Sequence, residues 1–339
     1  MPLPDLLKNR LTVPVVGSPM FIVSTPPLIM AQCKAGVVGS FPSLNARPVS
    51  QLDEWLAQLN EELPAHAKAH PQARVAPFAV NQIVHKSNTR LDEDVALCVK
   101  YKTPIVITSV GNPADIVKEV HGYGGIVFHD TTTIRHTEKA IEAGVDGVIL
   151  VCAGAGGHAG TMSPFALVPQ VRSFWKGTLL LAGAISDGRA VRAAQVLGAD
   201  LAYMGTRFIA TQEANAKDAY KQMILDSAAK DITYTPAFSG IPANYLTKSI
   251  LASGLDPANL KPKGFIDMDL GNRPERTGEQ RVDKPGGGGE PQIKAWRDIW
   301  SAGQGAGSVH DVPSVAELVA RLAAEYREAV AGDAALAAE

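Results

Sequence analysis

The stretch 145–160, VDGVILVCAGAGGHAG, decides how this chain is read. Its apolar first part, 145–153, has the composition of a buried strand and breaks into glycine and alanine. Residues this small let backbone approach a flat or charged ligand closely. The run then presents His158 between Gly157 and Gly160, where an imidazole can exchange a proton near neutral pH. Two more strand-to-glycine junctions follow, at 179–185 (LLLAGAI) and 199–207 (ADLAYMGTR). Three in series point to a ligand site built at the ends of parallel strands.

Outward from that stretch the chain alternates. Strand patterns fall at 14–20, 37–43, 75–83, 104–110, 125–130, 145–153, 179–185 and 201–205. Helical patterns fall between them, including 26–35, 50–63, 91–101, 133–143 and a helix opened by Asp187-Gly188-Arg189 and closed at Gly198. The second carries apolar residues at 52, 55, 56, 59 and 63, one helical face. Apolar strands separated by such helices imply a parallel sheet covered by helices. Eight units fit a closed (β/α)8 TIM barrel. A doubly wound sheet of Rossmann type would place G-x-G-x-x-G after its first strand, and none is present.

The rhythm fails after residue 213. The expected organisation is therefore a barrel over 1–213 and 296–339, with a smaller helical and irregular insertion at 214–295 between strand eight and the closing helix. That insertion is expected to be helical in part over 214–253. Its tetraglycine, 286–289, reads either as a lid hinge or as an exposed linker. Ser314 and Glu317 form a capping-box pair at the start of the last helix.

Composition narrows the function. With 46% hydrophobic and 19% charged residues, the 339-residue chain is an ordered, core-forming protein. A net charge of −2 and the lack of a basic block disfavour nucleic acid as a partner. The apolar runs are too short and too often interrupted for a membrane-spanning helix. MPLPDLLKNR lacks a signal-peptide core, so a cytoplasmic location is expected. Three cysteines, Cys33, Cys98 and Cys152, are odd in number and far apart, which fits reduced thiols. Cys152, just before the glycine-rich turn, reads as a small buried hydrophobe rather than a nucleophile.

Several residues carry candidate chemistry. In a barrel of this kind the loops after strands seven and eight bind phosphate through backbone N–H groups and helix N-termini. Gly183-Ala184 and Gly205-Thr206 stand at those two places, with the Thr206 hydroxyl as an added donor. Arg207 either neutralises phosphate or is salt-bridged at the rim. His158 is the candidate catalytic group; toward a neutral carbon acid it would be the general base, suited by a pKa near the working pH. His129 and Asp130 end the fifth strand and can face the same site. Asn81 can offer its amide to a ring edge or bond only to local backbone. Met20 either underlies a ring or fills the barrel mouth. No H-E-x-x-H or similar spacing occurs, so a metal site is disfavoured.

Taken together these motifs resemble the nitronate monooxygenases, formerly 2-nitropropane dioxygenases, a family of FMN-dependent TIM barrels. The likeness is carried by Ser18-Pro19-Met20, Asn81, Ala155-Gly156-Gly157-His158, Ala182-Gly183-Ala184 with Asp187-Gly188-Arg189, Met204-Gly205-Thr206-Arg207-Phe208, and Ile299-Trp300-Ser301-Ala302-Gly303-Gln304-Gly305. It implies FMN as cofactor, its phosphate held by Gly183, Ala184, Gly205 and Thr206. Ser18, Pro19, Met20, Asn81, Asp130, Gly156, Gly157 and Ala182 would complete the cofactor wall, with Gln304 returning from the C-terminal segment. His158 matches the family's catalytic histidine, which the resemblance makes either a base on the carbon acid or a hydrogen-bond donor to the nitronate. The implied reaction takes a nitronate or nitroalkane and O2 to a carbonyl compound and nitrite, in a protein compatible with a homodimer. NAD(P)H-dependent reduction of a quinone or enoyl thioester on the same flavin barrel is the alternative. The chain departs from the family pattern at Ser18-Pro19 (often Gly-Gly), at Gly154 (often Glu) and at Asp130 (Lys in some members). A carboxylate at 130 would disfavour an anionic reduced flavin.

Overall fold

A computed structural model describes residues 3–264 and 295–336. Eight parallel strands form the barrel: β1 (Val15–Gly17), β2 (Gly39–Pro42), β3 (Phe78–Ile83), β4 (Ile105–Ser109), β5 (Ile126–Thr131), β6 (Gly147–Val151) and, beyond a two-residue strand β7 (Gly157–His158) outside it, β8 (Thr178–Ala182) and β9 (Leu201–Met204). Their spatial order is β1-β9-β8-β6-β5-β4-β3-β2. A parallel bridge between Val16 and Val38 joins the two ends. This is the expected (β/α)8 barrel.

Strand periodicity explains the core. Val16, Ala79, Ile107, Phe128, Ile149, Leu180 and Leu201 form one buried set, in the barrel interior. Their neighbours Val80, Val106, Val127, Val148, Leu179 and Ala202 belong to the other set, beneath the helices. Burial on both faces is why these strands read as continuous apolar runs. Fully burying one such side chain is worth about 1.5–3 kcal/mol. Gly147 makes room inside: a Cβ there would sit 2.6 Å from the Phe128 ring.

The helices are α1 (Pro26–Lys34), α2 (Val49–Ala69), α3 (Leu91–Lys100), α4 (Ala114–Gly122), α5 (Ile134–Glu142), α6 (Pro164–Phe174), α7 (Gly188–Leu197) and α8 (Thr206–Ile209). Helix α2 buries Leu52, Leu56, Leu59 and Leu63 along one stripe. Helix α7 starts where the sequence placed it, because Asp187 Oδ1 accepts the Ala190 N–H at 2.7 Å. It ends at Gly198, whose φ of +117° needs glycine. Helix α6 escaped the sequence reading, since Pro164 and Pro169 disguise its period.

Beyond α8 come α9 (Asp218–Leu225), β10 (Ile232–Thr235), β11 (Ala243–Leu246), α10 (Thr247–Ala252) and the closing α11 (Val315–Leu336). The expectation of helix over 214–253 misses β10 and β11. These pair antiparallel and β11 then pairs with β7, Ala243 opposite His158 and Asn244 opposite Gly157. His158 thus sits in a strand of a second sheet rather than in a free turn. The tetraglycine lies outside the described residues. The Ser314–Glu317 box is present, with the Glu317 N–H donating to Ser314 Oγ at 3.3 Å and the Ser314 N–H to Glu317 Oε2 at 2.9 Å.

Candidate active site

The C-terminal ends of the barrel strands open into a cavity of about 1090 Å³. Ser18, Pro19 and Met20 line it after β1, Asn81 at the end of β3 and Asp130 near the end of β5. Gly156, Gly157 and His158 form the wall beyond β6. Ala182, Gly183 and Ala184 follow β8, and Gly205 with Thr206 follows β9. Thirteen of the fourteen residues singled out in the sequence therefore share one surface. Gln304 is the exception. Gly303 and Gly305 line the cavity, whereas Gln304 is exposed beside it: its N–H donates to Gly154 O at 2.9 Å, and its Oε1 stands 3.0 Å from where a Cβ on the lining residue Gly154 would sit.

The C-terminal return explains the small residues. Residues 301–305 are laced into the β6 loop: the Gly157 N–H donates to Ser301 Oγ at 2.7 Å, and Asn244 Nδ2 to Ala155 O at 2.6 Å. The Gly303 N–H donates to Thr206 Oγ1 at 2.9 Å, leaving the Thr206 hydroxyl hydrogen for another acceptor. A Cβ on Gly156 would stand 2.8 Å from Gly303 N, so these two loops meet backbone to backbone. Glycine serves first to let the walls close on each other.

Above β8 and β9 the backbone is shaped for an acceptor. The N–H groups of Ala184, Gly205 and Thr206 donate to no partner among the described residues. Ala184 adopts φ +53°, and Val110 and Trp296, also in the lining, adopt +62° and +70°. Backbone strain of this kind gathers at ligand sites. Arg207 takes no part. Its guanidinium is buried, donates to Asp311 Oδ1 at 2.7 Å and to Ala210 O at 3.1 Å, and lies outside the cavity lining. The rim salt bridge is the arrangement observed.

His158 is half-buried. Its Nε2 lies 2.9 Å from Ser239 Oγ, and its ring meets Trp296 edge-on with centroids 5.6 Å apart. Burial pushes the imidazole down to about 4. The histidine is neutral at physiological pH, and the expectation of a base poised near neutrality is not met. His129 also lines the cavity, its Nδ1 2.8 Å from Thr108 Oγ1 and its pKa pushed down to about 4 by burial. Asp130 Oδ2 accepts from Ser109 Oγ at 2.5 Å, and Ser109 Oγ accepts from Asn81 Nδ2 at 2.8 Å. Cys152 is fully buried, its thiol pushed up to about 12 by desolvation, which makes it packing.

Ser109, Tyr203, Ser239 and Trp296 were not foreseen. Ser109 and Tyr203 were legible in principle, since strand parity turns them inward with Asp130 and Leu201. Ser239 and Trp296 carried no signal, because only the fold over the barrel brings them to His158.

The nitronate monooxygenase family model matches residues 5–325. The chain belongs to the nitronate monooxygenase family. It is 29% identical to a nitronate monooxygenase of Paraburkholderia phytofirmans, over 94% of this chain and 93% of the relative. A probable nitronate monooxygenase of Bacillus subtilis is 28% identical over 69% of this chain and 76% of its own length. Among solved structures, FabK from Thermotoga maritima matches with a TM-score of 0.74 at 25% identity, covering 98% of this chain and 97% of that one. A nitroalkane oxidase from Streptomyces ansochromogenes matches with a TM-score of 0.76 at 22% identity over 97% and 100%, a likeness of fold. Membership in this family makes the chain an oxidoreductase. Among the described residues no helix is long and apolar enough to cross a membrane, and no cluster of three His, Cys, Asp or Glu side chains is placed to hold a metal.

Proposed function

We propose that the chain binds FMN in this cavity and oxidises an alkyl nitronate with O2 to a carbonyl compound and nitrite. The observation that carries the proposal is His158, neutral and fixed by Ser239, facing a small-residue wall beside two loops of unclaimed backbone donors. The residues fit the cofactor. Ala184, Gly205 and Thr206 would hold its phosphate through their N–H groups, with the Thr206 hydroxyl and the turn at Gly183 in support. Ser18, Pro19, Met20, Asn81, Asp130, Gly156, Gly157 and Ala182 would line its ring. Gln304, whose side chain lies over Gly154, would stand at the edge of that wall. The flavin would supply the electron transfer and oxygen chemistry, and the protein orientation and electrostatics.

An imidazole that takes a proton only near pH 4 is a weak base. That favours a substrate arriving as the nitronate anion over a neutral nitroalkane that must be deprotonated. With Nε2 accepting from the Ser239 hydroxyl, Nδ1 carries the hydrogen and donates it to a nitronate oxygen. Trp296 and the segment 239–241 (Ser239 through Ile241) close over the same space and keep water from it.

At about 1090 Å³ the cavity slightly exceeds the roughly 300–1,000 Å³ usual for small-molecule sites. That room also suits the second reading, NAD(P)H-dependent reduction of a quinone or enoyl thioester. One preparation separates the two. The purified protein should show a flavin spectrum and release nitrite from an alkyl nitronate in air. Rapid anaerobic bleaching by NADH with no nitrite release would overturn the nitronate reading in favour of the reductase.

A further inference from the structure

At the top of the barrel interior an apolar set of side chains is interrupted by four polar ones: Asn81, Ser109, Asp130 and Tyr203. Three are linked in order. Asn81 Nδ2 donates to Ile107 O at 3.2 Å and to Ser109 Oγ at 2.8 Å, and the Ser109 hydroxyl donates to Asp130 Oδ2 at 2.5 Å. There the chain stops. Asp130 Oδ1 and the Tyr203 hydroxyl are both buried and have no hydrogen-bond partner among the described residues. Tyr203 is only 8% exposed, and both residues line the cavity. Folded proteins rarely leave such atoms unmatched, and a ligand bound in the cavity that both residues line accounts for them.

We propose that Asp130, as a neutral carboxylic acid, and Tyr203 together donate hydrogen bonds to an acceptor atom on the ring bound in the cavity. This rests on the FMN reading given above. The surroundings favour the acid form. Among the described residues no cation is paired with Asp130; His136 and Lys139 on α5 line the same cavity without a bond to it. Ser109 on β4 gives it one donor, Asn81 on β3 is spent on Ser109 and Ile107, and Tyr203 on β9 is uncharged. His129, its neighbour in sequence, is turned onto Thr108, and His158 is bound to Ser239. Burial accordingly raises the carboxyl to about 6 before any ring covers it, and a covering ring removes more water and raises it further. The carboxylate that would oppose a negatively charged ring is thereby replaced by a donor that stabilises one.

The test uses the FMN-loaded protein. Binding that requires the acid takes up one proton above the pKa of the open site. On dilution, with FMN release followed by fluorescence, the Kd should rise about tenfold from pH 7 to pH 8 in the wild type. It should stay nearly flat in Asp130→Asn, whose amide donates at either pH. The FMN phosphate, with its second pKa near about 6, contributes little there and equally to both. Tyr203→Phe should weaken FMN about fivefold at pH 7 and keep the pH dependence. As an independent readout, the infrared spectrum of the wild-type holoprotein at pH 7 should contain a carboxylic-acid C=O band that ionisation at higher pH removes. A flat Kd in the wild type, or no such band, overturns the proposal while leaving FMN binding intact. A purified protein that binds no FMN overturns the cofactor reading and this proposal with it.

Discussion

Nε2 of His158 lies 2.9 Å from Oγ of Ser239, and that contact ties the barrel's sixth junction to the segment folded over it. The Ser239 hydroxyl also lies 3.1 Å from Ile241 O, so its single hydrogen has two possible acceptors. Which one it serves decides which imidazole nitrogen carries the hydrogen. Ser239→Ala removes that control. It should lower nitronate turnover about 3- to 10-fold, the worth of one hydrogen bond, with FMN affinity unchanged. Steady-state nitrite release and an FMN titration of the same preparation check it, and unaltered turnover would remove Ser239 from the account.

The buried histidines make stability depend on acid. His129 is 5% exposed, and its pKa falls from 6.5 to about 4 on folding. The native state then binds fewer protons than the unfolded chain between about pH 6.5 and 4, so this stability is full above that window and lost as pH falls through it. His158 has the same sign. Asp130, raised from 3.8 to about 6, has the opposite one: its contribution is present below that window and lost as pH rises through it. Two groups outweigh one, and the protein should weaken from pH 6.5 to pH 4. In His129→Gln the loss in urea unfolding free energy over that range should shrink by on the order of 2 kcal/mol. An equal loss in both proteins would contradict the assignment.

Gly156 stands where two backbones meet, and a Cβ would lie 2.8 Å from Gly303 N and 3.1 Å from Ala302 C. Neither atom can swing aside as a side chain would. Gly156→Ala should cost about 1–3 kcal/mol and weaken FMN binding by parting the β6 loop from the C-terminal return. Urea midpoints and FMN titration measure both effects, and a variant with wild-type values would show that the loops yield freely.

Arg207 tests the phosphate assignment from the other side. Its guanidinium is committed to Asp311 and Ala210 O. Arg207→Met should therefore lower stability by about 1–3 kcal/mol and leave FMN affinity close to that of wild type. A large loss of affinity in a folded variant would return Arg207 to the phosphate.

What the sequence disclosed, and what it hid, follows from range. The alternation of the eight barrel strands was legible because they are buried on both faces, and α7 was legible because Asp187 and Gly198 cap it. The glycine junctions at 156, 183 and 205 were legible because close approach demands small residues. Helix α6 was masked by its two prolines. Strands β10 and β11 were missed because each is only four residues long and neither alternates, β10 being largely half-exposed and β11 buried throughout. The neutral state of His158 was hidden because its pKa is set by burial, which segments distant in the chain supply.

The central claim is that His158 acts on a nitronate in a flavin site it does not itself build. The most direct measurement is nitrite release from an alkyl nitronate in air by wild type and by His158→Asn, each with its FMN content determined from the visible spectrum. The account predicts equal FMN content, nitrite formation by the wild type, and turnover lowered at least about 100-fold in the variant. Nitrite formation by His158→Asn at the wild-type rate, with FMN bound, would contradict it.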